Sequence, residues 1–145
     1  MFADLLRRMT APAPAPLSDP DARLALAALL VRVARSDGDY ADSEAREITR
    51  RLADRYQLNE SAALQLRHDA ETLESEAPDT VRFTRAIKDA VKHEARLEIM
   101  ETLWAIALAD GERDAQEDTQ LRLVANLLGL SDVDSAKARQ RVQSE

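Results

Sequence analysis

The chain has 145 residues, no Cys, two His and a net charge of −7. That length fits one domain able to bury roughly 68–70% of its unfolded surface, so neither a disulfide nor a structural metal is needed to hold a core. The lack of Cys excludes a zinc centre of the usual sulfur and imidazole type, and the acidic balance with five scattered aromatics argues against nucleic acid as a partner. Three Gly and five Pro among abundant Ala, Leu, Arg and Glu leave little material for hairpins, so the class expected is all-α.

In chain order, Phe2, Leu5, Leu6 and Met9 stand at helical spacing beside Arg7 and Arg8, which predicts a short amphipathic helix. So short a helix needs a surface, and protein is favoured over lipid because two Arg and four apolar residues make a weak anchor. Thr10 to Pro16 alternate Ala and Pro and read as a semi-rigid linker, dividing the chain into residues 1–17 and a helical domain over 18–145. No apolar run reaches a membrane span and no secretory signal is visible, which points to a cytoplasmic protein, free or peripheral to the inner face of the membrane.

Ser18 or Asp19 caps a helix with Pro20 in its first turn, and Leu24 to Ala34 is apolar nearly all round, as a central helix should be. Ile48, Leu52, Tyr56 and Leu58 give the next helix one apolar face, opposite Arg46, Glu47, Arg50, Arg51 and Asp54. Asn59 caps a helix with Ala62, Leu66, Ala70 and Leu73 inward, which the segment up to Pro78 ends. Asp79 or Thr80 starts another, with Val81, Phe83, Ile87 and Val91 inward, and the pattern breaks or bends at Lys92 to Ala95. Leu97 to Ala107 form a second central helix, Leu121 to Leu128 pack inward until Gly129, and a last helix carries Val133, Ala136 and Val142. The expected architecture is a compact bundle of about six to seven helices.

Two stretches are related by a displacement of 73 residues: Asp37-Gly38-Asp39 with Glu44, and Asp110-Gly111-Glu112 with Glu117. Each closes a central apolar run and opens the next helix, so each is an elbow whose Gly supplies a left-handed position. Asp37 and Asp110 then stand at helix C-termini, where the dipole disfavours a carboxylate by a few tenths to about 1 kcal/mol.

Turn chemistry offers one account of the acids. It suits the second copy, where Asp114 to Glu117 has the form of a capping box, but not the first, where Ala41 stands in the cap position. The other account makes Asp37, Asp39, Glu44, Asp110, Glu112 and Glu117 oxygen ligands for calcium, magnesium or manganese. An EF-hand is excluded, because its leading ligands would fall on Val33 and Arg35, or on Ile106 and Leu108.

Arg82, Arg85, Lys88, Lys92 and Arg96 recur at three- and four-residue steps. On a continuous or gently bent helix they form a basic stripe that could dock an acidic protein or lipid headgroups, or simply a solvated face diluted by Asp89, Glu94 and Glu98. No nucleophile with a base, phosphate loop or histidine cluster is present, so an enzyme is not expected.

The doubled Asp-Gly with Glu six residues after the Gly, together with Leu103 to Gly111 and Arg122 to Leu128, resembles the tellurite-resistance TerB family over roughly Ala22 to Val142. The resemblance implies an all-helical bundle with an internal pseudo-twofold and a stress-associated role. It also implies acidic metal chelators, matched here by Asp37, Glu44, Asp110 and Glu117. A similar domain occurs in some DnaJ-type co-chaperones, which implies protein partners, in some cases beside a membrane.

Overall fold

The computed structural model describes residues 2–12, 16–36, 40–109 and 115–144, leaving aside the side chains of 109 and 115–118. Among these there are eight α-helices and no strand. They are α1 (Ala3–Met9), α2 (Asp19–Arg35), α3 (Asp42–Tyr56), α4 (Glu60–Glu76), α5 (Thr80–Ala90), α6 (His93–Ala109), α7 (Ala115–Leu127) and α8 (Asp132–Gln143). The domain over 18–145 holds seven of these, α2 to α8, within the six to seven expected of the bundle, and α1 precedes it as the short amphipathic helix.

Helix starts follow side-chain chemistry. Ser18, Asn59, Asp79 and Ser131 are N-caps whose side chains accept from an amide three residues on, and Ser131 with Asp134 completes a capping box. Ala41 holds the N-cap position of α3 with no side-chain bond. Helix α3 closes on Gln57 and α7 on Gly129, both left-handed. Val91, extended at φ −119° and ψ 134°, separates α5 from α6, so the weakened pattern at Lys92 is a true break.

Helix α2 is the axis: Ala25 to Val31 are at most 2% exposed. It packs on α3, α4, α5 and α6, while α4 also packs on α3. Helix α6, which buries Ile99, Met100, Leu103 and Trp104, is flanked in the same way by α7 and α8, and those two pack on each other. Trp104 Nε1 donates to Ser135 Oγ at 3.2 Å, with Arg139 over its ring. Helix α1 docks on α5 by burying Leu5 and Met9, and the Leu17 amide bonds the Ala90 carbonyl at 2.9 Å. Among the described residues no helix is long and apolar enough to cross a membrane.

Four apolar assignments change. Val81 and Val133 are exposed, Ala63 rather than Ala62 faces the core, and Ser135 and Ala138 rather than Val133 and Ala136 seat α8. In α4 and α8 a small residue occupies the close helix contact and its neighbour turns to solvent.

Candidate functional site

The ends of α2 and α6 and the beginnings of α3 and α7 border one cleft of about 470 Å³. Its floor is apolar: Leu30, Val33 and Ala34 from α2, Ile48 from α3, Leu103, Ile106 and Ala107 from α6, and Leu121 from α7. These lining residues come in pairs 73 positions apart, Leu30 with Leu103, Val33 with Ile106, Ala34 with Ala107 and Ile48 with Leu121. Glu47 and Gln120, also on the wall, make a fifth pair at that spacing. The segments carrying the two elbows therefore contribute to a single concavity.

Glu44 lies in the first turn of α3, half-buried on the cleft wall. Asp37, Asp39, Asp110 and Glu112 lie outside the described residues, as do Gly38 and Gly111, and Glu117 lies in α7 with its side chain outside them. Among the described residues no group of three or more His, Asp or Glu converges on a point. Glu47 is engaged by Arg51 at 2.9 Å and by Arg50. The donor set suits a hard cation: the repeated residues offer only oxygen, while His68 and His93 are exposed and belong to neither elbow.

The flanks of the first elbow are tied down by contacts that the sequence spacing did not reveal. Tyr40 Oη donates to Glu71 Oε2 at 2.6 Å, and Arg67 pairs with the same carboxylate at 3.7 Å. The Arg35 guanidinium sits 4.9 Å from the centre of the Tyr40 ring and pairs with Glu74 at 3.3 Å. Burial drives the Tyr40 phenol well above its ordinary pKa, and the bond to Glu71 and that carboxylate's charge push it further. Gln120 of α7 donates to Ser36 Oγ, linking the second unit to the end of α2. Tyr40 and Glu71 are 31 residues apart, and a phenol beside an acidic turn was the one available hint.

The basic stripe is split between elements. Arg82, Arg85 and Lys88 are exposed on α5, Lys92 lies in the break with Asp19 3.9 Å away, and Arg82 has Asp79 at 3.9 Å. Arg96 is on α6 and turns inward, donating to the carbonyls of Val91 at 3.0 Å and Leu128. Its partial burial lowers its pKa. The continuous helix required to align all five is interrupted at Val91.

No curated protein and no solved structure matches the chain. Residues 23–140 do match a family, described as tellurite resistance protein TerB. That match spans both apolar central helices, both elbows and the helices that close the cleft, and with it the chain belongs to the TerB family.

Proposed function

We propose that this TerB-family domain is a non-enzymatic, stress-associated module that takes one divalent cation between its two Asp-Gly elbows. The observation carrying this reading is the shared cleft, lined by positions 73 apart in the chain, to which the helices flanking both elbows contribute. Asp37, Asp39 and Glu44 of the first unit and Asp110, Glu112 and Glu117 of the second would supply carboxylate oxygens. The bound ion would supply positive charge to two stretches that carry five acids each, residues 37–47 and 110–118. The chain's own contribution is positioning, with Tyr40 and Arg35 anchoring the flanks of the first elbow to α4.

Thermal melts with millimolar calcium, magnesium or manganese test the reading. At least one of these ions raises the melting temperature, and Asp37→Asn combined with Asp110→Asn abolishes the rise. Absence of a shift with all three ions overturns it.

A further inference from the structure

We infer that the seat which α1 occupies on α5 is a docking site for an amphipathic helix of a partner protein, with α1 as the intramolecular competitor that covers it. Leu5 and Met9 are 5% and 1% exposed there, and Phe2 and Leu6 pack against the same core cluster. The spacing of these four residues, i, i+3, i+4 and i+7, is that of a helix laid into an apolar groove. Polar contacts fix its ends. The Phe2 amide donates to Oε2 of Glu76, the last residue of α4, at 3.2 Å, and Arg8 pairs with Asp21 in the first turn of α2 at 3.3 Å. Helix α1 therefore lies against α5 from the end of one helix to the start of another.

The hold on α1 is thin. Two buried and two partly buried apolar side chains, with two exposed polar contacts, oppose the ordering of seven residues, too few for a helix to persist alone. Such a segment opens at far lower cost than the helices of a core. The seat and its cover also belong to different parts of the chain: α5 lies inside residues 23–140, which match the family, and α1 lies outside them.

Opening bares the core surface beneath Leu5 and Met9. A partner helix longer than seven residues keeps the same apolar anchors and adds contacts beyond them. Charge sets its polarity, since Asp21 favours a cation beside the last anchor, as Arg8 now supplies. No residue of α1 lines the cleft between the two units, so the inference stands apart from ion binding.

Fluorescence anisotropy with a labelled peptide of residues 1–12 tests the seat on the full chain. Two variants release the tethered α1 without altering the surface beneath it. Leu5→Asp with Met9→Asp puts charge on the anchors, and Leu6→Pro removes the bond from the Leu6 amide to the Phe2 carbonyl and breaks the helix. The peptide should bind either variant at least about tenfold more tightly than wild type, where the tethered α1 holds the seat at high effective concentration. A second peptide that keeps only Phe2, Leu5, Leu6, Arg8 and Met9, with Ala and Gln elsewhere, should bind the variants within about threefold of the first, and a scrambled peptide should not bind. Equal binding of the first peptide to wild type and variants overturns the inference, and so does failure to bind variants whose thermal melts remain cooperative. Binding of the first peptide without the second confines the seat to α1 itself and excludes a partner. Loss of the domain fold in both variants makes α1 an integral part of the core, which also overturns the inference. A wild-type dimer that Leu6→Pro dissociates overturns it in favour of α1 exchanged between copies.

Discussion

Arg32 Nε donates to Glu74 Oε1 at 2.8 Å, joining the last turn of the central helix α2 to the last turn of α4, where both side chains are largely shut from water at 16% and 9% exposure. The same guanidinium donates to the carbonyls of Glu74, Ala77 and Pro78 and to Thr80 Oγ1. It therefore satisfies the C-terminal carbonyls of α4, where a cation is also favoured by the helix dipole.

Arg32→Ala should therefore lower stability by about 3–5 kcal/mol, since it strips a buried carboxylate of its main partner and orphans several carbonyls. Arg35→Ala removes the more exposed pair to the same Glu74 and should cost no more than about 1 kcal/mol. Urea unfolding of the two variants checks the contrast, and equal losses would contradict it.

The two tyrosines should titrate abnormally. Burial pushes the Tyr56 phenol up to about 12, aided by the charge of Glu98, and Tyr40 is raised by burial and then by Glu71. Phenols raised by folding contribute stability that is fully present below about pH 10, the unfolded value, and is lost as pH climbs through the folded value. Native protein should show little tyrosinate absorbance at pH 10, and denatured protein about half of the full signal. A native titration centred at 10 would contradict this.

Gly129→Ala should destabilise by about 1–2 kcal/mol, because Gly129 has φ +76°. A Cβ there would also come 2.9 Å from Lys88 Cε, a contact that the flexible lysine can relieve. Gly129→Asn, which tolerates the left-handed region better, should cost less than Gly129→Ala in thermal melts. The reverse order would point to crowding rather than backbone strain.

The helices were largely legible because their ends are written in short-range chemistry: Ser18, Asn59 and Asp79 each cap the helix read from them. Periodicity misled where small residues make the contact, as in α8, where Ser135 and Ala138 are buried and Val133 is 61% exposed. It also assigns every acid to solvent, and so could not see Glu74 and Glu101 buried against arginines from other helices. At the candidate site, the repeat marked both halves of the cleft, since a displacement of 73 residues is visible in one dimension. The anchoring of the first elbow was not, because the Tyr40–Glu71 bond depends on how α4 crosses α3.

The claim that two elbows share one ion is tested most directly by calorimetric titration of calcium into the metal-free protein, its Asp37→Asn variant and its Asp110→Asn variant. The account predicts one ion per chain, with each single variant weakening that same event by about tenfold or more. Two independent ions, each removed by one substitution without effect on the other, or no binding at all, would contradict it.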